Sequence, residues 1–110
     1  MAAIVIQVSL DGKGPGIILN DGRNSGTDIT TIVRNNDTVQ WKLIANSGIT
    51  SLDGINDSST DVFNPDPSLQ RDGSWQGTVS SSPGREETYL VEYTFNGRKY
   101  NQDPKIQVNP

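Results

Sequence analysis

Histidine and cysteine are both absent from this 110-residue chain, and its only methionine is Met1. These absences exclude Ser-His-Asp and thiol catalysis, disulfide bonds, and the imidazole or thiolate ligands of most zinc and copper sites. Apolar residues are also scarce at 32%, against the roughly half that is typical of globular domains. They lie in short clustered runs and the net charge is only −4, so the composition favours a folded domain with a thin core over disorder.

Clusters of basic residues are missing as well. The nine Lys and Arg residues are dispersed, and only Arg98 and Lys99 are adjacent. Because binding to nucleic acid or to an anionic membrane depends on such clusters, we expect neither partner. No apolar run approaches the roughly 18 residues that span a bilayer. Residues 1–10 lack the basic start and long apolar segment of a signal peptide, which predicts a cytoplasmic chain as written, exported only if a leader has been replaced.

Strand and turn signals alternate along the chain, with no helical period. The clearest strand covers residues 87–95 and is followed by Asn96-Gly97, which favours a type I′ hairpin because both residues accept positive φ. Residues 4–9 predict a first strand buried on both faces, and residues 53–70 predict an irregular excursion. The strand signals cover residues 4–9, 17–19, 27–33, 38–43, 49–52, 75–79, 87–95 and 106–108.

This pattern predicts a single all-β domain over residues 1–110, a Greek-key β-sandwich of about seven or eight strands. Two stretches resemble the cupredoxin family. Residues 36–41 (Asn-Asp-Thr-Val-Gln-Trp) resemble its Gly-Asp-Thr-Val-x-Trp/Phe strand, and residues 83–95 resemble its late Pro-Gly-x-Tyr-x-Tyr strand. The closing residues 106–108 resemble its terminal strand. An immunoglobulin-like sandwich is the alternative, since these motifs describe packing.

The resemblance implies a type 1 copper site, whose ligands this chain lacks. Such a site needs two His, a Cys and usually an axial Met. In this family the Cys and one His follow the late tyrosine strand, where residues 96–100 here read Asn-Gly-Arg-Lys-Tyr. The upstream His would follow Trp41, and residues 42–49 contain none. We therefore expect a cupredoxin-like scaffold without copper or electron transfer.

Carboxylate pairs remain as candidate catalytic groups. They are Glu86 with Glu87, Asp57 with Asp61, and Asp53 with Asp57. Glycosidase chemistry needs two carboxyls held across a cleft, with their pKa values pushed apart. Adjacent Glu86 and Glu87 at the entrance of a strand would point to opposite faces. We therefore expect these acids to be solvated surface residues and the protein not to be an enzyme.

Two polar loops, residues 20–28 and 53–61, offer the hard oxygen ligands that calcium takes. Neither matches an EF-hand, and Asx and Gly residues are equally typical of β-turns. We therefore predict turns and no metal or other cofactor, with calcium as the remaining alternative. The loop containing Gly12, Gly14 and Gly16 precedes a predicted strand rather than a helix, which disfavours phosphate binding.

Carbohydrate binding is the main alternative to a purely structural role. Small β-sandwiches bind sugars with an aromatic ring and amide or carboxylate partners. The candidate rings are Trp75 and Tyr100, with Asn101, Gln102 and Asp103 as polar neighbours. A core so poor in large hydrophobic residues needs most of its rings, which favours the core for Trp75 and an exposed position for Tyr100.

We therefore predict a non-enzymatic binding or structural module without a copper site. The sequence does not identify its partner: a protein surface and, in the lectin-like alternative, a carbohydrate bound with or without calcium are both open. Self-association is a further hypothesis, because a first strand that is apolar on both faces could pair at a sheet edge or exchange between two copies.

Overall fold

The computed structural model describes residues 3–12, 15–27, 29–44, 47–57, 62–63, 67–80, 84 and 86–108. These residues form eleven strands and no helix, so nothing among them is a helix able to cross a membrane. The strands are β1 (Ala3–Leu10), β2 (Ile17–Asn20), β3 (Ser25–Gly26), β4 (Thr30–Val33), β5 (Thr38–Leu43), β6 (Ser51–Asp57), β7 (Ser68–Leu69), β8 (Trp75–Thr78), β9 (Glu86–Phe95), β10 (Arg98–Gln102) and β11 (Lys105–Val108). They make two mixed sheets that pack as a sandwich.

Six strands form the first sheet, in the order β3-β2-β1-β5-β8-β7. β1 pairs antiparallel with β2 and parallel with β5. Its side chains alternate between the two faces, so Ile6 and Val8 are buried while Val5 is 41% exposed. The prediction that the first strand is buried on both faces is therefore wrong. β1 pairs with β2 over Gln7–Leu10 and with β5 over Ala3–Val8, so it is paired on both sides only where these ranges overlap. Self-association through this strand stays a hypothesis.

The second sheet is built on the long strand β9. β6 pairs along one side of β9, β10 and β11 pair along the other, and β4 pairs parallel with β11. Asn96 and Gly97 have φ values of 53° and 78°, which confirms the predicted hairpin turn. The returning arm keeps one register through Pro104, whose carbonyl accepts a hydrogen bond from the Tyr89 N–H at 3.0 Å. Since proline donates no such bond, it divides this arm into β10 and β11.

The excursion predicted for residues 53–70 is wrong over its first part. β6 continues to Asp57 and pairs with β9, with a register shift between Leu52 and Gly54. This bulge puts one extra residue into the strand, so the buried Leu52 and Ile55 are three positions apart instead of two. The bulge therefore hides the alternation by which a strand is recognised. The strand count exceeds the predicted seven or eight because the structure adds the two-residue strands β3 and β7 and, before Pro104, the strand β10.

The core between the sheets is centred on Trp41, Tyr89 and Phe63, each no more than 1% exposed. The Trp41 ring meets each of the other two edge to face, with centroid distances of 5.5 Å. Trp41 Nε1 donates a hydrogen bond to the Tyr89 hydroxyl at 3.1 Å. Burial raises the pKa of Tyr89 well above its ordinary value, because ionisation would place a charge among these rings.

Side-chain hydrogen bonds between the two sheets supplement this thin core. We call them the inter-sheet bonds: Trp41 Nε1 to Tyr89 Oη at 3.1 Å, Trp75 Nε1 to the Leu52 carbonyl at 3.0 Å, Tyr93 Oη to the Pro15 carbonyl at 2.6 Å, and the Gln102 amide to the Ile17 backbone at 2.8 and 3.1 Å. Each pairs a polar atom that would otherwise lose its water partner on burial. The sandwich is thus held by directional contacts as well as by apolar ones.

Candidate functional site

An open groove of about 530 Å³ lies where β5 ends, β8 begins and β6 passes beside them. Its volume falls within the roughly 300–1,000 Å³ of small-molecule sites. The groove is lined by Lys42, Leu43, Thr50, Ser51, Leu52, Asp53, Leu69, Asp72, Gly73, Ser74 and Trp75. We call it the Trp75 groove. Of the two rings predicted as sugar contacts, Trp75 and Tyr100, only Trp75 lines it.

Trp75 is half-buried, and its indole is held in one orientation. It lies directly opposite the buried Trp41 in the β5–β8 ladder and opposite Leu69 in the β7–β8 ladder. Nε1 donates to the Leu52 carbonyl at 3.0 Å, which anchors the ring to the second sheet. Leu69, at the outer end of this row, is 59% exposed. The expectation that Trp75 belongs to the core is thus correct for one part of the ring, while another part lines the groove.

Asp72 is the exposed carboxylate at the rim of the groove, in the turn before β8. Its Oδ1 accepts hydrogen bonds from the backbone N–H of Ser74 at 3.0 Å and from the Ser74 hydroxyl at 2.5 Å. The Ser74 side-chain bond, the Ser74 backbone bond and the ammonium of Lys42 hold the pKa of Asp72 below its ordinary value. Asp72 is therefore a permanently charged acceptor at neutral pH.

Asp53, the second carboxylate of the groove, is used differently. It follows the bulge in β6, and both of its oxygens accept hydrogen bonds from hydroxyl groups. The Ser51 hydroxyl donates to Oδ1 at 2.7 Å, and the Thr94 hydroxyl donates to Oδ2. Asp53 thus joins β6 to β9 on the protein surface.

The other predicted site residues lie on β10 and beyond it, outside the lining of the Trp75 groove. Tyr100 is directly opposite the buried Tyr93, and the two rings stack with centroids 5.8 Å apart. It is half-buried against the core rather than exposed as predicted, because the register places both rings on the inner face. Asn101 and Asp103 are exposed. The structure therefore does not bring the two predicted rings into one site.

Gln102 has a structural role that its sequence position did not indicate. Its Oε1 accepts from the Ile17 N–H at 3.1 Å, and its Nε2 donates to the carbonyls of Ile17 at 2.8 Å and Thr27 at 2.5 Å. A single amide thus bonds both polar groups of one buried residue, as a neighbouring strand would. Its donors and acceptor are therefore already engaged within the protein.

The predicted carboxylate pairs agree with the structure only in part. Glu86 and Glu87 point to opposite faces, as predicted, but Glu87 is only 4% exposed. The expectation that both acids are solvated is therefore wrong for Glu87, because alternation along β9 turns it inward with Tyr89. Asp57 ends β6, while Asp61, its partner in the second pair, lies outside the described residues.

The first candidate calcium loop uses its oxygens on its own backbone. Asn20 Oδ1 accepts from the Gly22 N–H at 2.9 Å, and Asp21 Oδ1 accepts from the N–H groups of Arg23 at 2.9 Å and Asn24 at 2.7 Å. These bonds confirm the predicted turn chemistry. In the other candidate loop residues 53–57 belong to β6, while residues 58–61, like Asp28 of the first loop, lie outside the described part of the chain. No group of three or more metal-ligating side chains occurs among the described residues.

The glycine-rich loop is followed by β2, which confirms the predicted strand there. Gly12 has a φ of 61°, and Gly14 lies outside the described residues. A strand presents no N-terminal array of N–H groups to a phosphate, as a helix does.

Sequence reasoning missed Lys42, Asp72 and Ser74. The available signal was the Asp-Gly-Ser turn immediately before the Trp75 strand, since binding residues are disproportionately found on loops positioned by a rigid scaffold. Comparison of the chain with models of known protein families and with curated proteins finds no match. The groove's chemistry therefore has to be interpreted from its own residues.

Proposed function

We propose that this protein is a non-enzymatic binding module that takes a carbohydrate in the Trp75 groove. The observation that carries this proposal is a half-buried indole, fixed by its bond to the Leu52 carbonyl, in a groove whose rim holds a charged carboxylate and an ammonium. Sugars combine apolar C–H faces with many hydroxyls. They therefore suit an aromatic surface flanked by hydrogen-bonding groups.

The arrangement of the groove gives each part of a sugar ring a partner. The C–H face would pack on the Trp75 ring beside Leu69, and the hydroxyls would donate to Asp72 or accept from Lys42. Because Trp75 is held by its own N–H, little side-chain freedom would be lost on binding.

The two carboxylates of the groove favour binding over catalysis. A general acid needs a raised pKa, whereas the pKa of Asp72 is lowered by its bonds from Ser74. Both oxygens of Asp53 are occupied by hydroxyl donors. Asp72 is thus not prepared to deliver a proton to a glycosidic oxygen, and Asp53 is already bonded within the protein.

We also propose that the sandwich is of the Greek-key, cupredoxin-like type without its copper site. In support, the chain crosses between the sheets from β3 to β4, β5, β6 and β7 in succession. The stretches that carry the resemblance form β5, β9 and β11, although Pro83 and Arg85 lie outside the described residues. The position after β9 where copper ligands would stand is the type I′ turn at Asn96 and Gly97.

Isothermal titration with neutral cello-, manno-, xylo- and chito-oligosaccharides tests the carbohydrate proposal. We expect one of these series to bind, and Trp75→Leu to weaken binding by about 2 kcal/mol or more, as loss of a central ring does. That is roughly 30-fold in Kd. Tyr100→Leu is the matched control, because it removes a half-buried ring outside the groove. Thermal unfolding of both variants separates lost binding from lost folding, and wild-type protein that binds none of these series would overturn the proposal.

A further inference from the structure

Asp72 differs from Asp53 in having an oxygen left for a ligand. Both bonds from Ser74 fall on Oδ1, at 2.5 and 3.0 Å. Nothing in the described part of the chain donates a hydrogen bond to its Oδ2. Asp53 has a hydroxyl donor on each oxygen. Asp72 is therefore the groove carboxylate that keeps a whole oxygen, with two acceptor sites, for ligand hydroxyls.

A short chain of hydrogen bonds fixes the position of Asp72. Ser74 is only 2% exposed, and its Oγ accepts a hydrogen bond from Gln40 Nε2 at 2.9 Å. With that lone pair occupied, the hydroxyl proton points at Asp72. Gly73 lies between them with a φ of 88°, and a Cβ there would meet no atom within 4 Å. The space beside Gly73, which lines the groove, is thus open to a ligand.

The charges of the groove also discriminate between sugars. Two carboxylates and one ammonium line it, so its formal charge is negative at neutral pH. A neutral sugar can donate two adjacent hydroxyls to Asp72 or share them between Asp72 and Lys42. A sugar acid brings a carboxylate into the same space, and like charges repel.

We propose that the Trp75 groove selects neutral sugars over sugar acids, with Asp72 as the acceptor for ligand hydroxyls and with Ser74 and Gln40 as its positioning residues. This inference rests on the proposed carbohydrate-binding function. It adds the class of sugar that the groove prefers and names the Asp72 carboxylate as the group that determines this preference.

NMR titrations of the ¹⁵N-labelled full chain test the selectivity. The probes are the methyl β-glycosides of glucose and galactose and the corresponding uronides, which differ only at C6. We expect the neutral glycosides to bind about tenfold more tightly than the uronides. Asp72→Asn should weaken neutral-sugar binding about tenfold and reduce the discrimination. Asp103→Asn, at an exposed carboxylate outside the groove, should leave both unchanged.

The pH dependence of binding tests the positioning role of Ser74. Binding should be present while Asp72 is ionised and should be lost as the pH falls through its pKa. Ser74→Ala removes the main cause of the lowered pKa, so we expect binding to be lost at a higher pH than in the wild type. Ser74→Thr keeps the hydroxyl and should restore the wild-type profile. A general loss of stability would not move the profile in this way.

The outcomes separate this inference from the function on which it rests. If neither the glycosides nor the oligosaccharides bind, both are overturned, and if only the oligosaccharides bind, the selectivity inference alone is wrong. If neutral sugars bind in a Trp75-dependent way but uronides bind equally well, or if Asp72→Asn has no effect, carbohydrate binding stands and the selectivity inference is wrong. A Ser74→Ala profile that stays at the wild-type pH would overturn the positioning role alone.

Discussion

Gln102→Met is expected to destabilise the protein by about 2–4 kcal/mol. Gln102 makes three hydrogen bonds to the backbone of Ile17 and Thr27, at 2.5 to 3.1 Å. Each such bond contributes about 0.5–1.5 kcal/mol net, and more where its loss leaves a buried group unpaired. Ile17 is fully buried, so its N–H and C=O would both lose their partner. Methionine matches glutamine in length and flexibility, so the packing volume is largely kept.

Gln102→Glu separates the donor function from the shape of the side chain. A carboxylate can accept from the Ile17 N–H but offers no donor to the carbonyls of Ile17 and Thr27. Those carbonyl oxygens should raise the pKa of Glu in the folded state above its unfolded value. The variant should then be most stable at low pH, where the acid is protonated and donates to one carbonyl. That stability should be lost as the pH rises through the folded pKa.

Urea unfolding followed by fluorescence and circular dichroism measures these changes. The midpoint should fall while the slope with urea stays constant, because the folded topology is unchanged. Sugar titrations should be unaffected in Gln102→Met, since Gln102 does not line the Trp75 groove. A loss below about 0.5 kcal/mol, the size of an ordinary surface change, would refute this reasoning. So would loss of sugar binding with stability intact, which would return Gln102 to the ligand role expected from the sequence.

Two further substitutions test the core and the hairpin. Tyr89→Phe should cost about 1–3 kcal/mol at neutral pH, because the buried Trp41 N–H loses its acceptor. Burial raises the pKa of Tyr89, so the stability that its neutral hydroxyl confers is full below about pH 10 and is lost as the pH rises further. In urea titrations at alkaline pH, the free energy of unfolding should therefore fall less steeply with pH in the variant than in the wild type. An equally steep fall in both proteins would contradict this. Gly97→Ala should cost about 1–2 kcal/mol, because φ is 78° and the added methyl meets no atom within 4 Å, which leaves backbone strain as the only cause. Gly97→Asn should recover part of that loss in thermal unfolding, and an alanine variant as stable as glycine would show that the turn relaxes.

Strands whose residues alternate regularly were predictable from the sequence. Residues 38–43 and 87–95 alternate apolar and polar residues, and both form strands at those positions or within one residue of them. The bulge in β6 breaks this period, so the predicted strand at residues 49–52 overlaps only the start of β6 and its continuation to Asp57 was missed. The burial of Glu87 was also missed. The alternation along the strand places Glu87 on the same face as Tyr89, but its charge favoured a solvent-exposed position.

The groove and the role of Gln102 depend on partners that lie far away in the chain. Gln102 bonds Ile17 across a separation of 85 residues, and Trp75 bonds Leu52 across 23. The residues next to Gln102 and Trp75 in the sequence do not indicate such distant hydrogen-bond partners. The sequence therefore identified Trp75 as a candidate ring, but not which residues would share its groove.

The inter-sheet bonds also bear on how the Trp75 groove meets a ligand. Apolar contact between sheets is non-directional, whereas a hydrogen bond fixes the position of both partners. The Trp75–Leu52 bond joins two residues that line the groove, and the bonds of Tyr93 and Gln102 connect the two halves of the sandwich elsewhere. The distance between the walls is thus set before any ligand arrives. We therefore expect the groove to have the same width with and without a bound sugar. The backbone of the free protein should superimpose closely on that of the sugar-bound protein.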